Sequence, residues 1–316
     1  MTWFARGGWC LVCFFLLAAK AAAADPSGCP PVAKAFSAEL FEAAAGQARD
    51  RGLLWRITKD SRSSYLYGTF HVGKEQWIVP GPLVKRALQQ TDMMALELDP
   101  LDEAIQREMG AALTAKGPGN LPAALRARIK TLWEAACLPA EALGQGPAEM
   151  QAMTLTFMAA RRDGFDPSYG SEILLSLISR SVGRPVLSLE TVSLQLQTLF
   201  SQDEAEAESL VSEWLDDLES DRIRPVLRKV AQVWESADLA QLENYQDWCE
   251  CVRTESERKL MKRMVDDRNP GLAQRIDSLH GEGRKLFAAV GAMHMTGPQG
   301  LPTLMASRGY KVERLR

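Results

Sequence analysis

Only three histidines, His71, His280 and His294, occur in 316 residues, yet two of them close nearly identical patterns, Gly68-Thr-Phe-His71 and Gly291-Ala-Met-His294. In each, an apolar run reads into Gly-x-x-His. The imidazole is therefore expected just past the carboxyl end of a buried strand, where open α/β sheets bind their ligands. Glycine at the head of each pattern lets the backbone turn or another group approach closely. A third run, MMALEL, delivers Glu97 and then Asp99 at its end, and Glu190 closes a fourth, PVLSL. By the period of two in a strand, Glu97 and Asp99 share one face. Two imidazoles with one or two carboxylates form a ligand set that suits a hydrolytic divalent metal with positions left for water. Such a metal lowers the pKa of the water and polarises a scissile carbonyl, while a free carboxylate takes the proton. Simpler roles compete for each acid: a helix cap or salt bridge for Glu97, and a cap for Asp99, which directly precedes Pro100. His280 follows a helical pattern, reads as a helix C-terminal residue, and is left out of the site.

The elements that must position these residues alternate. Runs apolar on both faces predict buried strands over 53–57, 65–71, 93–98, 185–189 and 286–293, with a candidate edge strand at 310–314. Three-and-four spacing predicts helices over 80–90, 101–114, 121–137, 148–161, 171–181, 192–200, 203–217, 226–234, 239–248, 255–265 and 301–307. The helix over 203–217 is acidic, but Leu210, Val211, Trp214 and Leu218 give it an apolar stripe, so its carboxylates read as a solvated face and not a cation site. Trp214, Trp234 and Trp248 lie on helical stripes and read as packing residues. The expected fold class is α/β: a central, mainly parallel or mixed β-sheet flanked by helices, with large helical insertions over about 101–181 and 200–265. No Pro-rich or Ser-rich linker divides residues 25–316, which are read as one domain.

Composition excludes some classes. With 37 basic and 40 acidic residues, a net charge of −3 and 46% apolar residues, the chain is neither a basic nucleic-acid binder nor a disordered segment. Residues 1–24 read as a secretory signal: Arg6 precedes an apolar run over 9–19, and small residues lead to a cleavage site near Ala24. That run is shorter than the ~20 residues of a membrane span, and a retained anchor is the alternative. Cleavage removes Cys10 and Cys13 and leaves Cys29, Cys137, Cys249 and Cys251 in an oxidising compartment, periplasmic or extracellular. Cys249 and Cys251 are one residue apart, so each is expected to reach to Cys29 or Cys137 and not to the other. A zinc site is the alternative, against which Cys-x-Cys lacks the usual spacer. Serine-hydrolase elbow, His-Glu-x-x-His, phosphate-loop and dinucleotide patterns are missing from the sequence.

The two Gly-x-x-His motifs, YLYGTFHV, ALELD, VLSLET, and the ending that runs from Arg268-Asn269 through LFAAVGAMH to Gly297, Gly300-Leu301 and Gly309-Tyr310, together resemble the TraB/GumN family over roughly residues 53–316. That family is related to the membrane-tethered Tiki metalloproteases, which use manganese or cobalt, and more distantly to erythromycin esterase and the haem-binding ChaN proteins. The resemblance implies a fold of that kind, with His71, His294 and Glu97 as the metal-binding and catalytic positions. It implies supporting parts for Gly68, Gly291, Glu190 and Arg268, the last as an oxyanion or substrate-carboxylate partner unless it bridges a strand-end acid. The expected protein is a periplasmic or secreted metal-dependent hydrolase, peptidase-like, holding manganese, cobalt or zinc and acting on a peptide or small molecule. Its mature chain is expected to lack a membrane span and to bind no nucleic acid. The alternative is a haem or small-ligand binder without turnover, with His71 or His294 as axial ligand.

Overall fold

The computed structural model describes residues 28–316, so the expected signal segment, with Cys10 and Cys13, lies outside the described residues. Six strands build one mixed sheet: β1 (Leu54–Lys59), β2 (Arg62–Thr69), β3 (Met93–Leu96), β4 (Val186–Ser188), β5 (Leu286–Gly291) and β6 (Lys311–Arg314), in the order β4-β3-β5-β2-β1-β6. β4, β3, β5 and β2 run parallel, while β1 is antiparallel to both β2 and β6. The mixed sheet flanked by helices agrees with the expected α/β class.

β1 and β2 form a hairpin whose Lys59↔Arg62 pair leaves Asp60 and Ser61 as a two-residue turn, at φ 52° and 58°. Positive φ at both central residues gives the turn that matches strand twist. β2 therefore starts at Arg62, three residues before the predicted start. Its first part is polar, and Ser63 pairs with Thr58 through their hydroxyls at 2.9 Å, so apolar content alone does not reveal it.

β5 is buried along its whole length. Leu54, Leu66, Met94, Leu96 and Phe287 of its neighbourhood are fully enclosed, and burial contributes roughly 1.5–3 kcal/mol for each large side chain. A separate apolar cluster of Leu125, Ile129, Trp133, Leu155, Val211 and Leu215 joins the helices Ala123–Ala135, Ala148–Ala160 and Glu204–Glu219, which are the expected helical insertions. The predicted stripe of the acidic helix holds at Leu210 and Val211, and Leu215 completes its buried side.

Several elements differ from expectation. A helix over Ala38–Ala45, capped by Ser37, was not predicted. The stretch 239–248 divides into Leu239–Glu243 and Gln246–Cys249. The helix expected to run to residue 265 stops at Met261 and passes into a π-helical turn over Lys262–Asp266. The cysteine pairing is also corrected: Cys29 bridges Cys137 and Cys249 bridges Cys251, with Cα atoms 5.7 and 5.1 Å apart. Glu250, at φ 50°, bends the chain back and brings its two neighbours together, which an extended Cys-x-Cys would not do. Among the described residues no helix is long and apolar enough to cross a membrane.

Candidate active site at the carboxyl ends of the parallel strands

The first Gly-x-x-His motif leaves the sheet at Thr69, so His71 stands on the loop beyond β2 and not within the strand. Trp234 steadies that exit: its indole N–H donates to the Gly68 carbonyl at 2.8 Å and its ring stacks on Phe70. The backbone N–H of Phe70 donates to the Ser171 hydroxyl at 2.7 Å, and the Ser171 N–H returns to the Phe70 carbonyl at 3.0 Å. The loop thus lies against the start of the helix Ser171–Ser181. A Cβ at Gly170 would fall 2.6 Å from the His71 carbonyl oxygen, and one at Gly73 would fall 2.0 Å from that of Tyr169, so only glycine allows this contact. In the first turn of that helix, Glu172 places Oε1 2.9 Å from His71 Nδ1. The Glu172 charge, helped by that of Glu97, outweighs partial desolvation and the nearby Arg268, and raises His71 to about 9.

The second motif ends β5 at Gly291, and a single 3-10 turn, Ala292–Met295, carries His294 inward to 4% exposure. Its Nδ1 lies 2.6 Å from Asn269 Oδ1. A carbonyl oxygen only accepts, so the proton sits on Nδ1 and the Nε2 lone pair is left facing Glu97 Oε1, 3.7 Å away. Burial lowers His294 to about 4, so the ring is neutral at pH 7. The π turn Lys262–Asp266 lies just ahead of Arg268 and Asn269, and such turns recur at functional sites.

Glu97, the residue after β3, joins the two halves. Its Oε1 accepts the Gly291 N–H at 2.7 Å, and its Oε2 accepts from the Gln195 amide at 3.3 Å and from the Arg268 guanidinium. Burial alone would push the Glu97 carboxyl up. Arg268, then His294, His71 and the Gly291 N–H outweigh it and hold the group ionised well below the usual carboxylate range. Arg268 also donates to both oxygens of Glu190, one at 2.9 Å, and to the Met264 carbonyl at 3.0 Å. Glu97 and Glu190 raise its pKa despite burial.

The three predicted ligands meet over one atom. A Cβ at Gly291 would lie 3.4 Å from Glu97 Oε1, 3.5 Å from His294 Cδ2 and 3.9 Å from His71 Nε2, so the missing side chain leaves the gap they surround. Gly68 serves packing: a Cβ there would press to 3.1 Å from the Ala292 Cα, and its absence lets the second motif settle on the first.

A model of the TraB/PrgY/gumN family matches residues 53–314, from the residue before β1 into β6, and takes in every residue of this site. The chain belongs to the TraB/PrgY/gumN family. No curated protein and no solved structure matches it.

In this TraB/PrgY/gumN chain, two residues for which two roles stood open take the simpler one. Asp99 does not share the site with Glu97. β3 ends at Leu96, so strand alternation stops there, and the Asp99 carboxylate accepts from the Leu101 N–H at 3.1 Å and the Ser176 hydroxyl at 2.7 Å while pairing with Arg180. Arg268 is committed to Glu97 and Glu190, which is its bridging role and not an open anion site. His280 stays outside, buried between the Ser64 hydroxyl at 2.9 Å and the Lys59 carbonyl at 3.2 Å. Trp234 is a packing residue as expected, and its N–H gives it the further task of holding Gly68.

The sequence reading assigned no site role to Glu172, Asn269 or Gln195. The only signals were an acid in a helix first turn after Gly170-Ser171, an amide beside Arg268, and an amide one helical turn past Thr191. Among the described residues no group of three or more histidine, cysteine, aspartate or glutamate side chains stands at ligating geometry. The donors ring the gap without closing on it. A small cavity of about 30 Å³ lies elsewhere, lined by Arg51, Tyr67, Trp77, Leu174 and Trp234 among others, and by neither His71 nor His294.

Proposed function

We propose that this TraB/PrgY/gumN chain is an exported metal-dependent hydrolase, peptidase-like in its chemistry. One observation carries the reading: His71 Nε2, the His294 ring and Glu97 Oε1 gather around the side-chain gap of Gly291. The donor chemistry fits a divalent ion, manganese, cobalt or zinc, because two imidazole nitrogens and one anionic oxygen leave positions open. His71 Nε2, His294 Nε2 and Glu97 Oε1 would hold it. Bound there, the ion supplies a water acidic enough to attack near neutral pH and polarises the scissile carbonyl.

The chain's own residues prepare these donors. Asn269 keeps the His294 proton on Nδ1 and leaves Nε2 as a free acceptor, 3.7 Å from Glu97 Oε1. Arg268 and Gln195 hold Glu97 by Oε2 and leave Oε1, which accepts the Gly291 N–H, at the gap. Glu190 shares the Arg268 charge and anchors it. His71 is the least enclosed of the three, at 61% side-chain exposure. Haem binding is less well supported, since His294 is sealed in with Nε2 toward a carboxylate and the cavity of about 30 Å³ is lined by neither histidine.

The test is elemental analysis of the mature protein, purified without chelator, beside a His71→Ala, His294→Ala double variant. Stoichiometric manganese, cobalt, zinc or iron in the first and not in the second is the expected result. Metal in neither, with none taken up on addition, overturns the assignment.

A further inference from the structure

The two motif histidines are held in different ways. His294 is enclosed on all sides and fixed by Asn269, whereas His71 stands on a loop with a 61% exposed side chain that packing alone does not fix. We propose that Glu172 is the positioning residue of His71: it engages Nδ1 and thereby commits Nε2 to the Gly291 gap. The inference rests on the metal-site reading above and adds to it a residue that neither motif contains.

Three features support this part for Glu172. Its Oε1 is 2.9 Å from His71 Nδ1, while His71 Nε2 is the atom that would lie 3.9 Å from a Gly291 Cβ, so the ring's two nitrogens face opposite tasks. The carboxylate is itself constrained: it is 17% exposed and sits in a helix first turn, where exposed backbone N–H groups favour an anion. The helix that carries it is mounted directly on the histidine's loop through the Ser171 and Phe70 hydrogen bonds and the close contact at Gly170. Glu172 and His71 are therefore held by the same backbone contact. A carboxylate on the far nitrogen of a ligating imidazole fixes the ring's orientation, and removing one typically costs 10–100-fold in metal affinity.

The test uses the whole mature chain, stripped with chelator, as wild type, Glu172→Ala, Glu172→Gln and His71→Ala. Each is titrated with Co²⁺, followed by visible absorption and calorimetry, with urea unfolding to confirm the fold. Glu172→Ala is expected to weaken Co²⁺ binding 10–100-fold and to change the cobalt spectrum, with partial rescue in Glu172→Gln, which keeps an acceptor of the same shape. Wild-type binding in both Glu172 variants, with loss in His71→Ala, overturns the proposal and leaves the metal site standing. If the wild type takes up no Co²⁺, the metal reading fails, and ¹⁵N-histidine NMR of the metal-free proteins decides the positioning. With only three histidines, the expected result is a slowly exchanging Nδ1–H on His71 that vanishes in Glu172→Ala while His280 and His294 keep their signals. Unchanged His71 signals, or a shift of all three rings together, overturns it.

Discussion

Burial holds His294 down to about 4 while the Glu172 carboxylate lifts His71 to about 9, so near neutral pH one ring is neutral and the other cationic. The two therefore couple to stability with opposite sign. The folded value of His294 lies below the unfolded value of ~6.5, so its contribution is complete above that pH and is lost as pH falls toward 4. That of His71 is complete below ~6.5 and is lost as pH rises through 9, weakened because water screens its exposed ring. In chelator-treated protein, His294→Gln should flatten the urea-measured stability slope between pH 6.5 and 4, removing at most about 3 kcal/mol. A slope identical to wild type would show that the ring is not buried in neutral form. Arg268 argues the complementary case, since two enclosed carboxylates depend on it. Arg268→Met should destabilise by about 3–5 kcal/mol, and adding Glu190→Gln should recover part of that, because one orphaned charge is then removed; urea unfolding of both variants reads the difference. The core of this site was legible in the sequence because His71, His294 and Glu97 each end an apolar run, which is a local pattern. Glu172, Asn269 and Gln195 reach their partners across long stretches of chain, and a helix's first-turn acid looks the same whether it faces water or an imidazole.

At the level of elements, what positions His71 is a glycine-lined contact between the loop after β2 and the start of the helix Ser171–Ser181. Gly170→Ala puts a Cβ 2.6 Å from the His71 carbonyl oxygen, so the loop must shift. A cost of about 1–3 kcal/mol is expected, with weakened metal uptake. Gly271→Ala is the control: nothing lies within 4 Å of a Cβ there, and in the helix Asn269–Gly281 alanine should be neutral or stabilise by up to about 1 kcal/mol. Thermal unfolding beside Co²⁺ titration separates the two; equal behaviour would show that the loop yields freely and that the contact does not position the histidine. The strands β3 and β5 were legible for a related reason, as apolar runs; β4 was legible as a strand but not as an edge one, since its residues are only half-buried where a fully buried strand was expected. The polar start of β2 was not, because it depends on hydrogen bonding to β1 and not on burial. The π turn at Lys262–Asp266 was hidden too, since one extra residue in a turn leaves the apolar periodicity nearly intact.

Across the whole molecule, the segment before the family's matched span is tied to the rest in several places. Cys29 bridges Cys137 beyond the end of the helix Ala123–Ala135, the Tyr169 hydroxyl donates to the Lys34 carbonyl at 3.0 Å, Lys34 pairs with Glu75, and Arg162 donates to the Gly28 carbonyl at 2.9 Å. These ties span the ground that braces the His71 loop, because Tyr169 backs onto Gly73 and Gly170 onto His71. The two disulfides differ in what they constrain. The first joins residues 108 apart in sequence, so by loop closure its removal frees an unfolded-state entropy equivalent to about 4–5 kcal/mol; the second closes a ring of three residues and accounts for no more than about 2 kcal/mol. Cys29→Ser with Cys137→Ser should therefore lower the stability measured in urea by several kcal/mol, with a changed denaturant slope from a less compact denatured state difference. Cys249→Ser with Cys251→Ser should lower it much less. A thiol reductant added to wild type should reproduce the first variant and not the second. The reverse ranking would place the Cys249–Cys251 turn, with Glu250 held at φ 50°, at the centre of the fold's stability instead of at its periphery.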